Sequence, residues 1–389
     1  MKPSSVVGVF VGITLVKLAL AAVWGETADI TNIFEQGRGF VAGRDILDAQ
    51  ATGGHPSFFP MGNYLLATAC LVVSQALHVP FAFAVKVPAI LADLCIAFLL
   101  RASPRGGERA AWWYLVNPVT FLLAVYHGQL HTVAVAILVL SVCVAERGRP
   151  GLSGAALALA ASIRQHFAGL LVPLLRGAGS RWPIALASCA AVGVALNVRL
   201  LASAHLDRLL APTLLYGKWG YTLLLLQGAR LLGLLGLDTL KTVPAALTQW
   251  LDAYAIAPYV IWTLGYWVWS VRQGASLDLW KATLLFLVGL YVVSPGFGMQ
   301  WLVWAVPFWL VVNRRQAMWY SFLAGTFLAG SYWQWTLNGK YGVASITEDL
   351  GRLSRFDLAG VVAVGAVGLA TWGWCVRGWW RLLRDPRSA

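Results

Sequence analysis

Residues 6–24 read VVGVFVGITLVKLALAAVW, and residues 25–36 read GETADITNIFEQ. The first stretch is long enough to cross a bilayer, because about 20 apolar helical residues span a hydrocarbon core of about 30 Å. The second places two acids, Glu26 and Asp29, close to the membrane surface. They are three residues apart and share a face if the stretch is helical. We interpret this junction as the edge of a reactive site.

The composition is that of a polytopic helical membrane protein. Of the 389 residues, 59% are hydrophobic and 12% are charged, and the mean hydropathy is +0.69. The net charge of +13 would also suit a nucleic-acid partner. Much of the positive charge falls in short loops, however, as the positive-inside rule requires, so we expect a lipid bilayer and no nucleic acid. The five cysteines lie in apolar segments and show neither a disulfide framework nor metal-ligand spacing.

Charge and hydropathy predict an all-α bundle of about twelve transmembrane helices with both termini in the cytoplasm. The apolar segment Phe58–Leu77 is interpreted as a helix on the outer surface, because counting it as a span would place the later basic loops outside. Most acids then fall on the extracytoplasmic face, which becomes the candidate catalytic face. The expected spans are Val6–Trp24, Ala84–Leu100, Ala111–Tyr126, a helix ending at Glu146, Leu152–Ile163, Phe167–Leu175, Ile184–Leu201, Ala253–Val271, Ala282–Val293, Trp301–Val312, Met318–Trp335 and Leu358–Cys375.

Asp29 and Glu26 are the candidate catalytic residues. A carboxylate that is partly buried beside a membrane suits general-base work, because burial raises its pKa toward useful values. The alternative is an acid in a solvated loop or at a helix start. The pattern alone leaves both interpretations open, and it does not decide which of the two acids is the base.

Two charged residues fall within one predicted membrane helix. Lys86 and Asp93 are seven residues apart and therefore on one face. An acid near mid-membrane costs about 2.5–3.5 kcal/mol on insertion scales, so Asp93 should face the bundle interior as a structural contact. Lys86 lies near the outer end, where it could reach a lipid phosphate. Lys17 is similarly buried in the first helix, and the sequence assigns it no role.

Basic residues mark two outer turns. His127 and His131 are four residues apart, but no third ligand and no acid partner stands near them in the sequence, so we expect donors to phosphate or sugar hydroxyls and no metal. Arg164 and His166 interrupt an apolar hairpin between two short helices. Arginine matches phosphate oxygens bidentately, which favours a phosphate contact over an arginine that only reaches the interface.

These elements together resemble the GT-C superfamily of polyprenyl-phosphate-sugar-dependent glycosyltransferases, and most of all the bacterial polyprenyl-phosphate-mannose-dependent mannosyltransferases. Each matching stretch is short, but their order covers most of the chain. They are Asp29 with Gly37-Arg38-Gly39, His55-Pro56-Ser57-Phe58-Phe59, Lys86-Val87-Pro88 with Asp93, Asn117-Pro118 with Tyr126-His127-Gly128-Gln129, and Gln300-Trp301 with Trp304 and Pro307. Relatives often carry Asp where this chain has His131, which puts metal assistance or an acid pair at that position in doubt.

The resemblance implies a single membrane domain of residues 1–389, with a catalytic module at 1–201 and a more variable helical module at 202–389. It also implies an Asp base in the first outer loop and a lipid-linked donor substrate. Asp29 would take the acceptor proton, while cationic groups stabilise the departing phosphate, so no cofactor or metal is expected. The expected substrate- and phosphate-binding residues are Lys86, His127, Gln129, His131, Arg164, His166, Lys218 and Gln300.

The implied activity is transfer of a hexose, with mannose as the expected sugar, from a polyprenyl-phosphate-linked donor to a lipid-linked or cell-envelope glycan acceptor. The alternative is a transporter or flippase for a lipid-linked sugar. That class predicts inverted repeats and a site at the membrane midplane. The sequence shows no internal repeat, and its polar groups cluster at one face. A membrane scaffold without catalysis would leave the outer acids and bases unexplained.

Overall fold

The computed structural model describes residues 3–24, 28–45, 47, 59–201, 203, 254, 256–274, 277–294, 298–341 and 355–384. Every regular element in these ranges is helical, which confirms the all-α expectation for them. Their fifteen α-helices are α1 (Pro3–Val23), α2 (Ala28–Val41), α3 (Met61–Leu77), α4 (Phe81–Ala102), α5 (Gly107–Leu115), α6 (Pro118–Phe121), α7 (His131–Glu146), α8 (Pro150–Ala161), α9 (Leu171–Gly177), α10 (Trp182–Leu201), α11 (Ile256–Gln273), α12 (Leu279–Val293), α13 (Val306–Val312), α14 (Arg314–Tyr341) and α15 (Arg355–Arg384). Shorter helical turns are the π-helical turn Leu122–His127 and the 3-10 turns Gln165–Leu170, Gly179–Arg181 and Met299–Val303.

Four helical segments of the described residues are long and apolar enough to cross a membrane. They are Val6–Val23, Phe81–Ala102, Gly179–Leu201 and Asp357–Arg384. The other apolar helices in these ranges, such as α7 and α12, are shorter. The architecture therefore supports a membrane protein. The number of about twelve membrane spans, and the side of the membrane on which each terminus lies, stay predictions.

The segment Ala111–Tyr126 was expected to form one helix, and this expectation was wrong. The chain ends α5 and starts α6 anew at Pro118, because proline has no N–H to donate inside a helix. Asn117 caps the new start by accepting a hydrogen bond of 3.0 Å from the backbone N–H of Val119. The Asn-Pro pair was the sequence signal for this break, and the apolar run around it hid that signal.

Two polar contacts fix α1 against α4. Nζ of Lys17 lies 2.6 Å from Oδ2 of Asp93, and Nζ of Lys86 donates a hydrogen bond of 2.7 Å to the carbonyl of Trp24. Both contacts are seven residues apart on each helix, as an antiparallel pair requires. Tyr114 donates a hydrogen bond of 3.0 Å to Oδ1 of Asp93. Asp93 is fully buried, which confirms that it faces the bundle interior.

One hydrophobic core continues across residue 201, where the two expected modules meet. It contains Phe10 and Leu138 from the first part of the chain, and Leu285, Trp309 and Leu382 from the second. Close van der Waals packing of such side chains holds helices together in a bilayer, because lipid is as apolar as the side chains and gives no hydrophobic driving force between them. The division into two modules stays a prediction, but side chains from both sides of it share this core.

Candidate active site

Asp29 lies in the first turn of α2, where the positive end of the helix dipole favours a negative charge. Its Oδ2 atom is 2.7 Å from Nε2 of His127. The same atom accepts hydrogen bonds of 2.7 Å from Nε2 of Gln129 and of 3.0 Å from Nε2 of Gln300. The Asp29 side chain stays 24% exposed. The structure thus gathers four residues that the sequence singled out around one accessible carboxylate.

A sharp backbone turn brings His127 and Gln129 to Asp29. The π-helical turn Leu122–His127 ends at Gly128, whose φ of 75° lies in the left-handed region. Glycine adopts that region without penalty. A Cβ at this position would also lie 2.9 Å from Cδ1 of Ile30 and 3.0 Å from Cγ of Lys86. The absent side chain therefore allows the turn at Gly128 to approach α2 and α4 closely enough for His127 and Gln129 to reach Asp29.

Electrostatics keep Asp29 ionised. Burial acts to raise the pKa of Asp29, but the charge of His127 and hydrogen bonds from His127, Gln300 and Gln129 act against it. The net result is a pKa below the usual value for an aspartate, so the expectation that burial would raise this pKa was wrong, because the partners of the carboxylate outweigh its burial. At neutral pH the carboxylate is therefore an anion that can accept a proton.

Arg164 forms the centre of a second, deeply buried cluster. Its Nη1 donates hydrogen bonds of 2.7 Å to Oδ1 of Asn63 and of 2.8 Å to the carbonyl of Ile163. Its Nε lies 3.3 Å from the ring nitrogens of His131, and its guanidinium stacks over Phe59 at 4.5 Å. The arginine is only 2% exposed. A cation held this way is fixed in place, which suits binding of an anionic group better than a mobile surface arginine would.

His131 and His166 border Arg164 on the side of two tryptophans. Trp304 donates a hydrogen bond of 2.9 Å from Nε1 to Nδ1 of His131, so this nitrogen accepts and carries no proton. The His166 ring packs against Trp301 and Trp304, with ring centres 4.4 and 5.5 Å apart. The two indoles are stacked on each other at 4.6 Å. The cluster therefore holds a fixed cation beside a packed wall of buried aromatic rings.

The 3-10 turn Met299–Val303 connects the two clusters. Gln300, on this turn, binds Asp29, and the next residue, Trp301, packs on His166. His131, which begins α7, follows His127 by four residues across the turn at Gly128. The Asp29 cluster and the Arg164 cluster are therefore neighbouring parts of one site.

Three expectations about individual residues need comment. His127 was expected to have no acid partner, and this was wrong, because Asp29 approaches it from a position 98 residues earlier in the chain. His127 and His131 would share a face only in a continuous helix, and the turn at Gly128 interrupts it. Lys86 contacts the end of α1 through the Trp24 carbonyl, while its expected role toward a lipid phosphate stays a prediction. Glu26 and Lys218 lie outside the described residues.

Several residues of the site were not singled out by their own sequence signal. Asn63 holds Arg164 and also donates a hydrogen bond of 3.0 Å to Oε1 of Gln36, which ties α3 to α2. Tyr114 was assigned to an ordinary apolar span, although it contacts Asp93. Asn63 is a strongly polar side chain near the start of an apolar run, which is the signal that could have found it.

Within the described ranges, no group of three His, Cys, Asp or Glu side chains comes together as a metal ion would require. No protein-family model matches the chain, and a search of curated proteins finds no match either. The interpretation of the site therefore rests on its own geometry and on the short motifs described above.

Proposed function

We propose that the protein is a membrane glycosyltransferase that uses a polyprenyl-phosphate-linked hexose as donor. The observation that carries the proposal is the pairing of an ionised, accessible Asp29 with the buried Arg164 cluster beside it. Sugar transfer from a lipid phosphate needs a base for the acceptor hydroxyl and cations for the departing phosphate. The two clusters supply these two groups in one site.

In the proposed reaction, Asp29 removes the proton of an acceptor hydroxyl while the oxygen attacks the anomeric carbon of the donor sugar. The bond between that carbon and the phosphate oxygen breaks, and the polyprenyl phosphate leaves with the electron pair. Arg164 supplies positive charge for the phosphate, and Trp301 and Trp304 pack against the two histidines beside it. Lys86 and Lys218 are further cationic candidates, whereas burial and the Arg164 charge lower the pKa of His166 to about 3, so this ring would act as a neutral group. No metal has a part in this scheme.

The expected sugar is mannose, and the expected acceptor is a lipid-linked or cell-envelope glycan on the extracytoplasmic face of the cell membrane. These finer assignments come from the resemblance of the short motifs to mannosyltransferases. The site supports them by its chemistry alone, since an ionised carboxylate and a buried guanidinium fit any hexose carried on a lipid phosphate.

Mass spectrometry of glycolipids and cell-envelope glycans from a deletion strain tests the proposal. The mutant should lack one hexose on a defined glycan and accumulate the unmodified acceptor. Purified protein in nanodiscs should then add that hexose when given polyprenyl-phosphate-mannose. Unchanged glycans together with movement of the lipid-linked sugar across the bilayer would instead favour the transporter alternative.

A further inference from the structure

The two carboxylate oxygens of Asp29 have different surroundings. Oδ2 receives all three contacts, from His127, Gln129 and Gln300. Oδ1 receives no hydrogen bond from any residue in the described part of the chain. The side chain is nevertheless partly exposed. The carboxylate is therefore held by one oxygen and presents the other.

This asymmetry determines where a proton can be added. A carboxylate oxygen offers about two lone-pair sites, so an oxygen that accepts from Gln129 and Gln300 and lies beside His127 has no room for a proton unless a donor leaves. A proton on Oδ1 leaves the three contacts intact, because Oδ2 then becomes the carbonyl oxygen of the acid and still accepts hydrogen bonds. Proton transfer at Oδ1 thus requires no rearrangement of the surrounding side chains, which is the condition for a preorganised site.

We propose that Asp29 accepts the acceptor's proton at Oδ1, and that His127, Gln129 and Gln300 are positioning residues that hold Oδ2. This inference rests on the proposed glycosyl transfer. The acceptor O–H bond breaks and its proton goes to Oδ1. The freed oxygen electron pair forms the bond to the anomeric carbon, and the pair of the broken carbon–oxygen bond stays on the polyprenyl phosphate. The neutral acid then releases its proton to solvent.

Gln300 is the informative member of the three. His127 and Gln129 flank one turn of the chain, whereas Gln300 comes from the 3-10 turn Met299–Val303, 271 residues after Asp29. Its carboxamide carries no charge, so it acts on Asp29 only through the hydrogen bond to Oδ2. The second module, through Gln300, is therefore expected to set both the orientation and the proton affinity of the Asp29 carboxylate.

The test compares Gln300→Ala with Ser321→Ala. Ser321 accepts a buried hydrogen bond of 2.6 Å from Asn117, which also joins the first and second parts of the chain but does not contact Asp29. Infrared difference spectra of the full-length protein in nanodiscs would follow the Asp29 carboxyl stretch against pH, with Asp29→Asn subtracted. Gln300→Ala should raise the titration midpoint by about one pH unit, because the anion loses one donor. Ser321→Ala should leave the midpoint unchanged.

Gln300→Glu serves as a second variant of the same shape, in case the alanine variant does not fold. It lacks the N–H donor and should raise the midpoint at least as far. An unchanged midpoint in both Gln300 variants, or an equal rise in Ser321→Ala, would overturn the proposal. The pH dependence of sugar transfer should shift in parallel with the infrared midpoint. If the midpoint shifts but the wild-type protein transfers no sugar, the positioning of Oδ2 by Gln300 is supported. The proposed function and the proton transfer at Oδ1 are then both wrong.

Discussion

Asp29 and Asp93 are two aspartates in low-polarity surroundings that the protein treats in opposite ways. Asp93 is fully buried and engages both oxygens, Oδ2 with Lys17 and Oδ1 with Tyr114. Asp29 has three contacts on one oxygen, none described on the other, and a side chain that is 24% exposed. The first arrangement gives each oxygen a partner, closes the carboxylate off from any substrate by full burial, and joins three helices. The second leaves a reactive atom open.

Burial of an acid therefore does not by itself mark a reactive site. What distinguishes the two aspartates is whether their partners use every oxygen. A neutralised and saturated ion pair such as Lys17–Asp93 serves to fix helices, whereas a carboxylate held at one oxygen is ready to react.

The largest effect is expected from Asp29→Asn. The amide keeps the shape of the side chain but cannot accept the acceptor proton, so turnover should fall by about 10²- to 10⁴-fold. Transfer of labelled hexose by protein in nanodiscs measures this, with donor binding measured separately and expected to persist. Glu35→Gln is the matched control, because it removes another acid of α2 whose described partner is Arg38. Full activity in Asp29→Asn would exclude Asp29 as the base.

Asp93→Asn should affect stability instead of turnover. It leaves the charge of Lys17 buried without its counter-ion, which costs about 3–5 kcal/mol in comparable buried pairs. Thermal unfolding in detergent should show the loss, while the rate per folded molecule stays close to that of the wild type. The double variant Lys17→Met/Asp93→Leu should recover most of the stability, since no charge is then left unpaired. A turnover loss as large as that of Asp29→Asn would contradict the structural role of Asp93.

The sequence showed most of the components of these two sites but not their pairings. Asp29, His127, Gln129 and Gln300 stood out as polar residues at the ends of apolar segments. Their convergence depends on a glycine turn and on a contact across 271 residues, and helical periodicity carries no information about either. All-helical structure was predictable, because long apolar segments allow little else in a bilayer.

The partner of Asp93 illustrates the same limit. Lys86 and Asp93 share a face of α4, yet Lys86 binds the Trp24 carbonyl, and Asp93 takes Lys17 from the neighbouring helix. Spacing within a helix specifies a face, but the helix that packs on it decides which atoms meet. The break before α6 was visible as Asn117-Pro118, and it was missed because the surrounding residues are apolar.

A smaller effect is expected from His127→Gln on the pH dependence of transfer. Asp29 can act as a base only when it is ionised, and its lowered pKa keeps it ionised in mildly acidic solution. Wild-type activity should therefore decline only as the pH falls below the usual aspartate range near 4. Loss of the His127 charge removes a cause that lowers the pKa of Asp29, while burial still raises it. The acid limb of the rate profile should therefore move up by about one to two pH units.

The pH–rate profile of transfer in nanodiscs from pH 3 to 8 measures this shift. The control is His78→Gln, because His78 caps α3 and is exposed. An acid limb that stays in place in His127→Gln would show that His127 does not control the charge of Asp29.

The last prediction concerns the side of the membrane on which Asp29 lies, and it involves no change in activity. A cysteine at Thr31, an exposed residue two positions after Asp29, should react with an impermeant thiol reagent on intact cells, whereas one at Gln316 should not. The native cysteines are replaced beforehand. The reverse labelling pattern would place Asp29 on the cytoplasmic side and remove the extracytoplasmic acceptors from consideration.

The contact between Gln300 and Asp29 has a consequence for biosynthesis. A ribosome releases Asp29 into the membrane long before it reaches codon 300. For most of translation the nascent chain therefore carries Asp29 without its hydrogen bond from Gln300. A product truncated between residues 202 and 299 keeps Asp29, His127 and Gln129 but lacks Gln300. Premature termination or proteolytic loss of the distal part would then give a membrane-inserted fragment whose acid lacks the Gln300 hydrogen bond. A complete site is therefore a sign that the chain has been made at least as far as residue 300.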